Sequence, residues 1–104
     1  MTHHATKISI ITEKLNEQQI EQMVVEAGAK GYTVFEGSGR GSHSLKTRSR
    51  PSVVDAFSLI KIEVIVADRE KADAIVEKIA STYFKDYSGI VYMETVEILR
   101  LEKF

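Results

Sequence analysis

At 104 residues, 43% hydrophobic and 28% charged, the chain has the size and composition of one globular domain, which excludes global disorder. Fourteen Lys and Arg against fifteen Asp and Glu leave a net charge of -1, which argues against a protein devoted to wrapping nucleic acid or coating an anionic membrane, so any anion site must be local. There is no cysteine, no run near the roughly 20 apolar residues of a membrane span, and no secretory apolar stretch in MTHHATK; disulfides and thiolate chemistry are excluded, and a cytoplasmic location without direct membrane insertion is expected.

Lys7 to Thr12, KISIIT, is short and rich in β-branched residues, which predicts a central strand with Ile8 and Ile10 on one face. Asn16 then stands as the cap of a helix over EQQIEQMVVEAG, with Gln19 at the reciprocal capping position. Ile20, Met23, Val24 and Ala27 form its apolar stripe, and Gly28 ends it. After the turn signal at Gly31, Tyr32 to Glu36 reads as a second strand. Phe57 to Val66 has a period of two, with Ile60, Ile62, Val64 and Val66 on one face and Lys61 and Glu63 on the other. Asp68 caps a second helix that runs through Phe84 on the stripe Ala72, Ile75, Val76, Ile79 and Tyr83. Beyond KDYSG, the alternation from Ile90 to Leu101 predicts a fourth strand.

The order βαβ, loop, βαβ, with right-handed crossovers in both halves, specifies an α+β fold: a ferredoxin-like four-stranded antiparallel sheet with two helices on one face, residues 1–104 forming one domain. Two helices leave one sheet face uncovered, displaying Ser9, Ile11, Phe35 and Leu59; such a face invites homo-oligomerisation, the alternative being a half-polar antiparallel face that meets water. Architecture does not choose a function, so function is sought in the segment that interrupts it.

That segment is Gly37 to Asp55, GSGRGSHSLKTRSRPSVVD, with Arg40, Lys46, Arg48 and Arg50 and no acid before Asp55. Insertions of this length in a small domain are uncommon and usually functional or disordered. Gly37, Gly39 and Gly41 allow close backbone approach and positive backbone dihedrals, so their amides could form an anion-binding nest around Arg40; the alternative is a flexible turn. No Gly-Lys-Ser/Thr follows, and no helix starts after the glycines, so this is neither a Walker loop nor a dinucleotide fingerprint. Ser42, His43, Ser44, Lys46, Thr47, Arg48 and Arg50 could donate to phosphate or carboxylate oxygens. His3 and His4 offer only a stray metal site at a terminus expected to be disordered, and no catalytic spacing rises above background.

The run Gly28-Ala29-Lys30-Gly31-Tyr32-Thr33-Val34, the glycine and basic loop, and Tyr83-Phe84-Lys85-Asp86-Tyr87-Ser88-Gly89-Ile90-Val91-Tyr92 together resemble the PII-like signalling proteins over nearly the whole chain. With Ile11-Thr12-Glu13-Lys14, the resemblance is closest to the branch associated with bicarbonate transport and carboxysomes. It implies a homotrimer with adenine nucleotides in clefts between subunits. Residues 37–55 would be the T-loop and KDYSGIVY the B-loop facing it from an adjacent subunit. The implied nucleotide and anion contacts are Thr33, Gly37, Gly39, Arg40, Gly41, Ser42, Lys46, Gly89, Ile90 and Val91, with Arg100 reaching in from the last strand. No catalytic residue, metal or obligatory cofactor is implied. Gly37 to Lys46 then reads as the ligand-facing base, and Thr47 to Asp55 as the portion a protein partner reads.

Departures from the family pattern narrow the ligand. The loop has no tyrosine, which speaks against uridylylation. Gly41 replaces the glutamine that in nitrogen-regulatory relatives helps bind magnesium and 2-oxoglutarate. The absence of cysteine removes the redox loop of some transport-associated relatives, and His43 and Lys46 stand where those tend to carry arginines, leaving AMP, ADP or ATP, with bicarbonate held by glycine amides and Arg40. The expected function is a non-enzymatic sensor signalling to a bicarbonate transporter or carboxysome protein. The alternatives are slow nucleotide hydrolysis at Arg40 and Lys46, an RNA-binding module, and a CutA-like trimer. The third strand, Phe57 to Val64, lacks the glycine and aromatic pattern of RNA-recognition domains.

Overall fold

The computed structural model describes residues 1–39, 58–83 and 89–104. Four strands, β1 (His3–Glu13), β2 (Thr33–Gly37), β3 (Leu59–Val66) and β4 (Gly89–Ile98), and two helices, α1 (Glu17–Glu26) and α2 (Arg69–Thr82), follow the predicted order. The sheet order is β2-β3-β1-β4, antiparallel throughout, with Ile8 opposite Val64 and Met93, and Val34 opposite Ile62. Period-two alternation delivers Ile8, Ile10, Ile60, Ile62, Val64 and Val66 to the face under the helices, where all are buried with Ile20 and Val24 of α1 and Ala72, Ile75 and Ile79 of α2. Fully burying each such side chain stabilises the fold by roughly 1.5–3 kcal/mol, so this layer fixes the pairing register.

The helix ends follow local chemistry. Asp68 Oδ1 accepts from the Glu70 N–H at 2.9 Å, as the cap reading requires. Gly28 takes φ 108°, and the Gly28 and Ala29 amides donate to the Val25 and Val24 carbonyls, a Schellman closure that only glycine reaches without strain. The cap expected of Asn16 is not formed. A 3₁₀ turn, Lys14–Asn16, precedes α1, so Asn16 sits at φ -91°, ψ 0° instead of the extended geometry a capping side chain needs. Its side chain turns inward, 1% exposed, and Nδ2 donates to Thr12 Oγ1 at 3.2 Å. Gln19 is correspondingly released from the capping box and accepts from the Tyr83 hydroxyl, tying α1 to the end of α2.

Other boundaries also differ: β2 spans Thr33–Gly37 instead of Tyr32 to Glu36, and α2 ends at Thr82 with Tyr83 as its C-cap, short of the expected Phe84. β1 begins at His3, because the amino-terminal residues pair with β4 through His3–Ile98 and His4–Glu97; that end is ordered by a ladder. As consecutive strand residues the two histidines face opposite sides of the sheet and cannot share a metal ion. β4 ends at Ile98, and Leu101–Lys103 forms a 3₁₀ turn anchored where Ala67 N–H donates to the Phe104 carbonyl. Among the described residues β3 starts at Leu59, and Phe57 lies outside them.

Candidate functional site

The register gathers the strand ends at one end of the sheet. Gly37 at the close of β2 pairs with Leu59 at the start of β3, Leu59 pairs with Glu13 at the close of β1, and Gly89 at the start of β4 pairs with Thr12. The stems of the 40–57 and 84–88 segments therefore leave from the same end. Sheet order sets them apart, however: β2 and β4 are opposite edges, three interstrand spacings or about 14 Å across. Within the chain Gly37 and the β4 residues Gly89, Ile90 and Val91 stand on opposite edges of the sheet.

On the face away from the helices, beside the β2–β3 stem, a shallow cleft of about 130 Å³ is lined by Ile11, Phe35, Gly37, Ser38, Leu59 and Lys61. Lys61 Nζ lies 5.1 Å from the Phe35 ring centroid and 3.6 Å from Glu63. Gly39 packs onto Leu59 so closely that a Cβ there would stand 3.2 Å from Leu59 Cδ1. A Cβ at Gly37 would meet nothing within 4 Å, and Gly41 lies outside the described residues. Gly37 is held in the extended ladder, and Gly28 is the described glycine with a left-handed backbone. Among the described residues the apolar edges of this face are Phe35, Ile90 and Tyr92, 47%, 55% and 39% exposed.

One row across the same face runs Thr33, Glu63, Ser9, Tyr92. Thr33 is exposed, four residues from Gly37 along β2, and Ser9 Oγ is buried without a hydrogen-bond partner among the described residues. Next to it Lys7 pairs with Glu94 at 3.1 Å, and that hydrogen bond and charge raise the Lys7 pKa. On the helix side of the stem, the Lys14 N–H donates to the Ser58 carbonyl at 2.8 Å while Lys14 Nζ pairs with Glu36. The hydrogen bond to Glu36 and its charge raise the Lys14 pKa, keeping it cationic. Beyond it Glu17 is raised, first by its hydrogen bond to Glu21, and Tyr32, whose hydroxyl donates to Glu21 at 3.1 Å, is raised by the same carboxylate.

Of the residues expected to contact ligand, Gly37 and Gly39 lie at one edge of this sheet end, Gly89, Ile90 and Val91 at the other, and Thr33 at the start of β2. Arg100 follows the far end of β4, beyond the His3–Ile98 pair, and within the chain is remote from both clusters. Arg40, Gly41, Ser42 and Lys46 lie outside the described residues, as does the 84–88 connection. Lys14, Glu36, Ser58 and the Ser9 row escape a reading by residue type, because only the strand register shows that they are neighbours.

The family model described as nitrogen regulatory protein P-II matches residues 5–103. The chain belongs to the P-II family. A nitrogen regulatory protein P-II from Rhizobium meliloti (strain 1021) is 31% identical over 96 residues, covering 88% of this chain and 85% of that protein. Among solved structures, a PII-like signalling protein from Thermus thermophilus is similar with TM-score 0.81 and 33% identity over 99% of this chain and 97% of the other. CPII from Thiomonas intermedia K12, bound to ADP and bicarbonate, is similar with TM-score 0.83 and 28% identity over 100% and 97%. P-II family proteins are signalling regulators, so this chain is a PII-like signalling protein and not an enzyme, which removes the hydrolysis alternative. Among the described residues no helix is long and apolar enough to cross a membrane.

Proposed function

We propose that this P-II family member senses adenine nucleotide, AMP, ADP or ATP, with bicarbonate beside it, in clefts between the subunits of a homotrimer. It signals through residues 37–55 to a bicarbonate transporter or carboxysome protein in the cytoplasm. The observation that carries the reading is the separation of the two stems. Gly37 on β2 and Gly89 on β4 stand at the same sheet end but on opposite edges, with β3 and β1 between them, an arrangement that favours a ligand shared between two subunits over one held by a single chain. The exposed apolar edges at Phe35, Ile90 and Tyr92 supply a surface for that contact. Likeness to CPII bound to ADP and bicarbonate, over the full length of this chain, supports the ligand class.

In this arrangement Gly37 and Gly39, with Gly41 and Ser42, offer main-chain and hydroxyl donors to phosphate, and Arg40 and Lys46 supply charge. Gly89, Ile90 and Val91 of the neighbour approach the nucleotide through an edge strand whose Gly89 and Ile90 are exposed. Thr33 closes the cleft from β2. Arg100, remote from these groups in its own subunit, reaches the ligand only across a subunit boundary. Ligand shifts the loop only by the difference in its affinity for the loop's states, so direct contact with Arg40 is what couples site to signal.

Calorimetric titration with AMP, ADP and ATP, with and without bicarbonate, tests the reading. Saturable binding is expected, and Arg40→Ala should weaken it by roughly 10- to 150-fold, the equivalent of about 1.5–3 kcal/mol for a lost charged hydrogen bond. Absence of binding to all three nucleotides under both conditions sinks the proposal. Unchanged affinity in Arg40→Ala moves the site elsewhere.

A further inference from the structure

We propose that Lys14 is the positioning residue of the loop base, holding the two stems of the 40–57 segment in fixed relation so that the Gly37–Gly39 main chain is presented to ligand; this rests on the nucleotide-sensor reading. β1 ends at Glu13, opposite Leu59, and Lys14 is the next residue, opening the 3₁₀ turn. Its N–H donates to the carbonyl of Ser58, 2.8 Å away, extending the β1–β3 ladder by one bond onto the returning stem. Its ammonium pairs with Glu36, the residue before Gly37 on the outgoing stem. One residue thus grips both stems.

The outgoing stem needs such a hold. β2 is an edge strand of five residues, paired among the described residues with β3 alone, and its last pair is Gly37–Leu59. Beyond it, Gly39 has no side chain to anchor it and rests against Leu59. A short edge strand ending in Gly-Ser-Gly frays readily, since glycine loses the most conformational freedom on ordering. Lys14 restrains Glu36 from the helix side. Both partners are about half exposed, and ion pairs of that kind add little to global stability. The consequence of the pair is therefore local: it biases where Gly37 and Gly39 sit without being needed for folding.

The test separates position from stability. Lys14→Met, Lys14→Arg, Glu36→Gln and the reversed pair Lys14→Glu with Glu36→Lys are compared with the native protein by thermal melting, by calorimetric titration with ADP, and by amide hydrogen exchange without ligand. Lys14→Met and Glu36→Gln are expected to melt within a few degrees of the native protein. They should bind ADP about two- to five-fold more weakly at low salt, with the deficit shrinking at high salt. Amide exchange at Glu36, Gly37 and Leu59 should quicken. Lys14→Arg should restore affinity and exchange, and the reversed pair should recover part of both. Native affinity and native exchange in Lys14→Met overturn the assignment. Weakened affinity that tracks a large fall in melting temperature, unrescued by Lys14→Arg, also overturns it, since that is the mark of a folding defect. Should the native protein bind no adenine nucleotide, the sensor reading fails by itself, and the exchange comparison alone decides Lys14: no quickening at Glu36 and Gly37 refutes it.

Discussion

Replacing Ile90 by Asp should dissociate the proposed trimer while leaving each chain folded. Ile90 is 55% exposed in one subunit, on the uncovered face beside Tyr92 and outside the buried layer under the helices. Full burial of such a side chain is favourable by roughly 1.5–3 kcal/mol, so covering the half still exposed contributes about 0.8–1.6 kcal/mol per subunit. Asp forfeits that gain and must also be stripped of water against an apolar neighbour, a cost of several kcal/mol unless a cation meets it. Together these exceed about 3 kcal/mol for each contact, enough to weaken it more than about 100-fold. Light scattering coupled to gel filtration at micromolar concentration reads the outcome, and Lys78→Asp on the solvent side of α2 serves as control. The native protein and the control should run as trimers and Ile90→Asp as a folded monomer. A native monomer, or an Ile90→Asp trimer, refutes the reasoning.

Other expectations concern the fold and its charge network. Ile75→Ala removes a side chain 1% exposed between α2 and the sheet and should cost about 2–5 kcal/mol, lowering the melting temperature by at least about 8 °C. Asp68→Ala deletes the cap on Glu70 N–H and should cost about 1 kcal/mol, whereas Asn16→Ala should destabilise through the loss of a buried hydrogen bond to Thr12 instead of a cap. Gly28→Ala must adopt φ 108° with Lys71 Cε 3.2 Å away, and denaturant titration should show a loss of about 1–2 kcal/mol. Glu17, its pKa raised chiefly by a hydrogen bond to Glu21, holds its proton more tightly when folded. Its contribution is present below the ordinary glutamate range and is lost as pH rises through the raised value. Glu17→Gln should therefore gain stability relative to the native protein at neutral pH, an advantage that disappears in acid; a gain independent of pH between those limits contradicts the assignment.

The element order, the paired apolar faces and the uncovered sheet side were legible because strands and helices impose different periods, and Ile60, Ile62, Val64 and Val66 or Ala72, Ile75 and Ile79 satisfy only one each. Asp68 was readable as a cap because it is itself extended and leads directly into α2. Asn16 was not, because the intervening 3₁₀ turn depends on how β1 overruns into α1 and on the polar pocket that Thr12 offers. The reach of β1 back to His3 depends on a partner, β4, some ninety residues away in sequence, and no local signal reports it. The same holds for the site. Residue type and resemblance singled out the glycines and Arg40, but the double hold of Lys14 on Ser58 and Glu36, and the placement of Gly37 and Gly89 on opposite sheet edges, emerge only from the register.

A crystal structure of the protein with ADP and bicarbonate tests the central claim most directly. The nucleotide is expected between two subunits of a trimer, with Gly37 to Arg40 of one subunit and Gly89 to Val91 of its neighbour against it. A nucleotide contained within one subunit, or bound away from both stems, would contradict the proposed site.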